Sequence, residues 1–327
     1  MNRFSLRLAV LAAAVLPFLG GHPAAAADKV KIALAQKGFW DTSFPYLGDQ
    51  KGFFKEQNIE LDIQWTDGGA DTMQAVISGS FDIGTATGLL GVVSAFSKGA
   101  PVVLLCSEMT GAADLLWYVR ADSPIKSMKD ADGKTMAFSR PGSSSNQIAA
   151  ALVKKAGVSA KLVSTGGLPA TMTQVMSGQV DIGWGAVPAP LEAVKEGKIR
   201  VIAVGNDAPG AATQTVRVNI TNQTMLKERR DVLRRFLIAY QKSIDWAYSS
   251  PEVPEMYGKF ANVPPAVVDD LRKKYVPKKS VAMNTVTDLD VTMREAVEAK
   301  RLDKPLTADQ QKQLLAPMME LTKGIAK

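Results

Sequence analysis

The chain has 327 residues, 22% of them charged and 46% hydrophobic, which are the proportions of an ordinary globular protein and exclude a disordered or collagen-like one. Its formal net charge of +7 is mild and dispersed, and no basic stripe interleaved with aromatics points to nucleic acid. The single histidine, His22, lies in an N-terminal segment expected to be removed, which excludes Ser-His and Cys-His nucleophile systems and histidine-bound zinc; the single cysteine, Cys106, excludes an internal disulfide, and no metal or other cofactor is expected.

Residues 1–27 have the parts of an export signal: Arg3 and Arg7, an apolar run over 8–19, and the small residues Ala25, Ala26 and Ala27 before a mature start at Asp28. The run is shorter than the roughly 20 apolar residues that spanning a bilayer needs. No cysteine stands at the cleavage point to accept lipid, and Arg3 and Arg7 are not adjacent as a twin-arginine signal requires. A soluble, monomeric, periplasmic product is expected. What remains exceeds one compact core, so two domains are expected.

Residues 30–35 (VKIALA) alternate and then run apolar, as a first buried strand does. The loop 36–46 (QKGFWDTSFPY) carries Phe39, Trp40 and Phe44, which either pack beneath the fold or face a ligand. A short helix over 51–58, a strand over 59–65, a helix over 70–77 and a strand over 81–84 complete a β-α-β-α-β unit. Gly68 and Gly69, and the stretch 84–88 with Thr85, Ala86 and Thr87, fall in loops beyond strand ends where backbone can approach a ligand. Another strand follows at 101–105, in the run PVVLLCSEM that suits Cys106 as a buried inert thiol.

Residues 115–120 (LLWYVR) are extended and are the first of two expected crossings between lobes. A second series then starts: strand 135–138, helix 144–156, strand 160–163, helix 169–176, strand 179–183. Within it the pattern TMQAVISGSFDIGTAT that begins at Thr72 returns without a gap as TMTQVMSGQVDIGWGA from Thr171. Thr72-Met73, Ser78-Gly79 and Asp82-Ile83-Gly84 reappear as Thr171-Met172, Ser177-Gly178 and Asp181-Ile182-Gly183, and each copy follows a Gly-Gly pair. Two related α/β lobes facing each other would place both sets of loops on one cleft; a duplication that serves folding alone is the other reading.

The loop SRPGSSS opens a helix, so Ser143, Ser144 and Ser145 with the first-turn amides could converge on an oxyanion beside Arg140. A plain helix cap and a solvated arginine explain the same residues. Gly167 and Ala186 belong to the companion loops, and Trp184 stands where Thr85 stands in the first copy, lining the cleft or packing. Asp82 and Asp181 look like a carboxylate pair for acid-base work, but their positions before apolar residues suit each to pinning its own lobe. No phosphate-loop motif is present. Strands alternating with helices imply mainly parallel sheets. A second crossing is expected at 215–220, and after Met225 the chain turns helical over 226–248, 267–275, 288–299 and from 308, with Val232, Leu233, Phe236, Leu237 and Tyr240 as a core stripe.

The small-residue leader, the first strand with its aromatic loop and KGFFKEQNIELDIQW, the twin Ser-Gly-x-x-Asp-Ile-Gly motifs and DSPIKSMKDADGKTMAFSRPGSSS together resemble the periplasmic substrate-binding proteins of ABC importers. The subgroup is the one serving nitrate, sulfonate, taurine, bicarbonate and thiamine-precursor uptake. The resemblance implies an α/β, two-lobed periplasmic-binding-protein fold (type II-like) with two crossover segments, a central cleft and C-terminal helices. Residues 28–114 plus 215–327 would form one lobe and 115–214 the other. It implies binding without turnover and delivery of the solute to a membrane permease driven by a separate ATPase.

The precursor-synthesising enzymes of the same fold depend on histidine and a cysteine-rich motif, and the chain from Asp28 onward has neither; Phe39-Trp40 only partly matches the Trp-rich first loop of precursor binders. An apolar loop beside Arg140 suggests an organic anion, a sulfonate or carboxylate that can be aromatic. A sensor subunit docking on a membrane receptor, and an exported enzyme using Asp82, Asp181 or Lys37, are the alternatives.

Overall fold

The structure, a computed structural model, describes residues 26–325, so the expected export signal lies almost wholly outside the described residues. Strand β1 (Asp28–Ala35) pairs in parallel with β2 (Ile59–Thr66) along its whole length. Between them the chain forms α1 (Phe44–Gln50), with Pro45 in its first turn where the missing N–H is no loss, and α2 (Phe53–Glu56). The short helix expected over 51–58 is present as α2 but is only four residues long, and Gly52, at φ +78°, separates it from α1, which occupies part of the stretch expected as a loop.

Next come α3 (Gly69–Ile77), β3 (Ile83–Gly88), α4 (Leu89–Ser97) and β4 (Val102–Thr110). The loop expected at 84–88 is also corrected. Thr85, Ala86 and Thr87 lie inside β3, all buried, because small residues fit a strand enclosed on both sides. Helix α4 (LLGVVSAFS) is apolar nearly all round, so no one-sided stripe announced it.

The second series comprises β5 (Leu115–Arg120), β6 (Thr135–Phe138), α5 (Ser144–Ala156), β7 (Lys161–Ser164), α6 (Leu168–Met176), β8 (Gly183–Ala186), α7 (Leu191–Lys195) and β9 (Ile199–Val204). The repeated residues do the same work in both series. Thr66 and Thr72 share a 2.6 Å hydroxyl pair, and so do Thr165 and Thr171. Asp82 Oδ2 accepts from the Lys31 amide at 2.8 Å, and Asp181 Oδ2 from the Thr135 amide at 2.8 Å, so Asp82 ties the start of β3 to β1 and Asp181 ties the start of β8 to β6. Gly79 and Gly178, both at φ +77°, end α3 and α6.

The chain then returns as β10 (Thr215–Asn222) to complete a sheet of order β2-β1-β3-β10-β4, while β8-β5-β9 form a second sheet and β6-β7 a parallel pair bridged to it at Met136 and Ile182. The expectation of mainly parallel sheets is corrected, since β10 is antiparallel to both β3 and β4, and β5 to both β8 and β9. A strand that enters from the edge where its neighbours leave must run against them. The expected crossings, 115–120 and 215–220, are these central strands; the chain passes between sheets at 111–114 and 205–214. There the Gly111 amide donates to Gln214 O at 2.9 Å and the Ala112 amide to Asn206 Oδ1 at 2.7 Å.

After β10 come α8 (Gln223–Glu228), α9 (Arg230–Ser249), α10 (Val253–Ala261), α11 (Val267–Asp270), α12 (Leu289–Glu298) and α13 (Ala308–Thr322). The stripe Val232, Leu233, Phe236, Leu237 and Tyr240 is buried, and α9 packs on α1 and α2 while α13 packs on β4. The fold is two-lobed α/β, with the C-terminal helices on the five-stranded sheet.

Candidate functional site

In an open α/β sheet, ligands meet the carboxyl ends of the strands. Here the end of β3 meets the loop that opens α5, and Gln36, just after β1, faces the loop that opens α6. Gln36 and Asp67 come from the first lobe, and their side chains would lie 3.8 Å from a Cβ placed on Gly167 of the second. A Cβ on Gly68 would meet Ser139 Oγ at 3.7 Å. Gly69 abuts the Ala86 carbonyl so closely that a Cβ would sit 2.1 Å from it, which restricts the position to glycine. Ala86 itself is held at φ +51°, with its amide donating to Glu108 Oε2.

Phe39 and Trp184, both buried, approach edge to face across the seam with ring centroids 6.5 Å apart. Trp184 Nε1 has no partner, and neither does Thr85 Oγ1 at the equivalent position of the repeat in the other lobe. Buried polar atoms are nearly always satisfied, so the orphaned Trp184 donor at the seam is a group that a ligand or water would satisfy once the lobes part. Trp40 and Phe44, the other aromatics expected of this loop, are placed in the core. Trp40 packs on Phe44 (5.6 Å), Tyr248 (5.7 Å) and Tyr257 (4.9 Å) and donates from Nε1 to the Tyr248 hydroxyl at 2.9 Å. Ala186 is buried at the end of β8 opposite Leu115, and Thr87 is occupied in donating to Val218 O at 2.7 Å.

The serines of α5 form a capping group. Ser143 Oγ accepts from the Asn146 amide at 3.2 Å, Ser145 Oγ from the Ser139 amide at 3.0 Å, and the Ser139 hydroxyl lies 2.9 Å from each. Ser144 meets the other lobe, its amide 2.9 Å from where a Gly88 Cβ would stand. Arg140 reaches across to Asp71 (3.4 Å) and Asp67 (3.9 Å), longer than the roughly 2.7–2.9 Å of a charge-assisted hydrogen bond, and all three side chains are partly exposed. Such pairs are weak and easily exchanged.

Sequence reasoning missed the charged group at the hinge end. Arg217 donates from Nε to Asp41 Oδ2 at 2.8 Å and from Nη2 to Asp114 Oδ2 at 2.7 Å, and all three are buried. Glu108, also buried, stands beside them with Oε1 unpartnered. Burial first, then the charge of Asp41, pushes the Glu108 carboxyl well above the usual range, against the pull of Arg217. Burial likewise raises Asp114, opposed by Arg217. With Glu108 neutral, one guanidinium answers two carboxylates. The signal was available: a Glu within VVLLCSEMT and an Arg within TVRVNITN are charges in otherwise buried strands, and such charges need partners.

A cavity of about 620 Å³ lies elsewhere, along α5 and α12, and only Ser143 of the expected residues borders it. Among the described residues no cluster of three His, Cys, Asp or Glu could hold a metal ion, and no helix is long and apolar enough to cross a membrane.

No curated protein sequence matches the chain. Among solved structures it is similar to the alkanesulfonate-binding protein SsuA of Xanthomonas axonopodis pv. citri bound to MOPS, with a TM-score of 0.70 and 18% identity over 90% of this chain and 99% of that one. The periplasmic nitrate-binding protein NrtA of Synechocystis PCC 6803 gives 0.69 and 13%, covering 91% and 89%. The desulfurization enzyme DSZB gives 0.62 and 15%, covering 90% and 98%. At these identities the likeness is one of fold, the two-lobed fold of periplasmic binding proteins, which carries binders and at least one enzyme. The NMT1/THI5-like family model matches residues 41–253, more than half of the sequence, and the chain belongs to that family.

Proposed function

We propose that the chain is the periplasmic solute-binding component of an ABC importer, capturing a small organic anion between its lobes without turnover and delivering it to a membrane permease. The observation that carries this is the seam itself: Phe39 and Trp184 face each other from opposite lobes, and Trp184 Nε1 is a buried donor without a partner there. Binders of sulfonate and nitrate among the similar structures support the solute class. The enzyme reading finds less support, since Asp82 and Asp181 are each bonded within their own series and Lys37 lies over the Phe260 ring at 5.9 Å. We place the lobe boundaries at 114/115 and 214/215, and read residues 1–27 as a cleaved export signal of a monomer.

The charges suggest an orientation. Asp41 and Asp114 disfavour an anion at the hinge end, so the sulfonate or carboxylate points to Arg140, displacing its loose contacts with Asp67 and Asp71, and the apolar body lies toward Trp184. A thermal-shift screen of organic acids, sulfonates and inorganic anions identifies the solute, because a ligand at about 100 times its Kd stabilises by roughly 2.7 kcal/mol. In titration calorimetry with that solute, Arg140→Ala should weaken binding by about 1–3 kcal/mol, a charge-assisted bond discounted for partial exposure. Arg140→Lys should restore only part of it, since an ammonium cannot copy the guanidinium fork. Trp184→Ala should also weaken it. Affinity untouched in Arg140→Ala would remove the anion from this position, and a screen with no stabilising solute would count against capture altogether.

A further inference from the structure

We propose that the groove between α4, α5 and α12 is a second small-molecule site, which takes an organic anion with an apolar body and a hydrogen-bond donor. Its volume of about 620 Å³ lies within the 300–1,000 Å³ typical of ligand pockets. Leu90, Ala150, Ala151 and Val291 supply apolar wall, and Gln147 and Arg301 supply the polar groups.

Charge identifies the sign of the ligand. The other cations along the groove are answered: Lys154 by Glu298 at 2.7 Å, Arg294 by Asp290 at 2.6 Å, Lys155 by the Asp207 carbonyl at 2.7 Å. The carboxylate of Glu295 accepts from Gln147 Nε2 at 2.6 Å and from Gln214 Nε2 at 2.9 Å. Arg301 is different. Among the described residues no carboxylate oxygen comes within ion-pair distance of its half-buried guanidinium, and burial lowers its pKa with no acidic neighbour to offset the effect. A partly desolvated guanidinium without a counterion is what an anion would relieve, because its fork matches a carboxylate or sulfonate.

A second observation gives the donor. Gln147 lines the groove and is buried, and the bond to Glu295 fixes its amide so that Oε1 is the free atom, enclosed in the wall without a partner. A ligand N–H or O–H would satisfy it with a small turn of the side chain toward the groove. Residues of both lobes wall the groove, Leu90 and Val291 from one and Ala150 and Gln147 from the other, so an occupant would touch both and favour the arrangement in which they meet. This site is separate from the seam between Phe39 and Trp184.

The dye 8-anilinonaphthalene-1-sulfonate carries all three features, a sulfonate, an N–H and apolar rings, and its fluorescence reports burial. Titrated into the whole purified protein, it should bind saturably and one to one. Arg301→Gln should weaken it at least tenfold, and Ala150→Phe, which fills the groove while keeping the guanidinium, should do the same. Trp184→Ala should leave it within twofold. Circular dichroism melts check that the variants fold. The proposal is overturned if the dye does not bind saturably, or if both groove variants bind it as the parent does. It is equally overturned if Trp184→Ala alone abolishes binding, which would put the dye in the seam and leave the reading of the seam as a solute site intact.

Discussion

Arg217→Met should destabilise the folded protein by about 3–5 kcal/mol, the range for removing one partner of a buried ion pair. The reason lies in what stays behind. Asp41 and Asp114 keep their buried places with no guanidinium to offset their desolvation, and methionine supplies volume without charge. Urea unfolding at neutral pH measures the loss, and the deficit should shrink in acid, where the stranded carboxylates can take protons. A variant as stable as the parent at neutral pH would mean that the group is solvated and the lobes are not closed at the hinge.

Glu108→Gln should behave in the opposite way. An amide copies a protonated carboxyl, keeping an acceptor for the Ala86 amide and a donor at the second position. The sign follows from linkage. The folded pKa is raised above an unfolded value of about 4.3, so the acid's contribution is whole below that pH and is lost as pH rises toward the folded value. The variant escapes this loss, so its stability relative to the parent should grow with pH above about 4.3, and near that pH the two should agree within about 1 kcal/mol. Parallel stability profiles across pH would show that Glu108 ionises as freely in the folded chain as in the unfolded one.

The same residues explain how much the sequence disclosed. The repeat was legible because its positions do identical local jobs: Thr72 and Thr171 buttress the turn before a helix, Gly79 and Gly178 end that helix, and Asp82 and Asp181 tie a strand to its sheet. Local jobs leave local patterns. Strand direction was illegible because β5 and β10 take theirs from where the chain enters each sheet, which no window of residues records. The aromatic loop divided for a similar reason. Phe39 turns to Trp184, while Trp40, its neighbour, turns to Tyr248 and Tyr257, residues two hundred positions or more away whose proximity only the tertiary fold creates. Arg140 is legible as a cation, but the carboxylates facing it come from the other lobe, and Arg301, whose guanidinium has no carboxylate within ion-pair distance among the described residues, gives no motif at all.

Gly88→Ala should weaken solute binding by about tenfold to a hundredfold while leaving the melting temperature of the solute-free protein unchanged. Gly88 ends β3 at φ −63°, a conformation alanine adopts without strain, so the backbone itself does not oppose the substitution. The opposition comes from across the seam. A Cβ there would stand 2.6 Å from the Gly142 carbonyl oxygen and 2.9 Å from the Ser144 amide, both backbone atoms that cannot rotate aside. Overlap of this kind costs about 1–3 kcal/mol, and each 1.4 kcal/mol is tenfold in affinity when binding requires the closed arrangement. Gly91→Ala meets the same carbonyl at 2.7 Å, but it sits inside α4, where alanine is the better helix former by about 1 kcal/mol. That variant should therefore melt higher and yet bind more weakly, a pairing that loss of fold cannot produce. Calorimetric titration with the identified solute, alongside small-angle scattering to follow compaction on binding, decides the matter. If both alanine variants bind and compact as the parent does, α4 and the first turn of α5 do not meet in the solute-bound protein, and closure would have to rest on contacts other than these glycines.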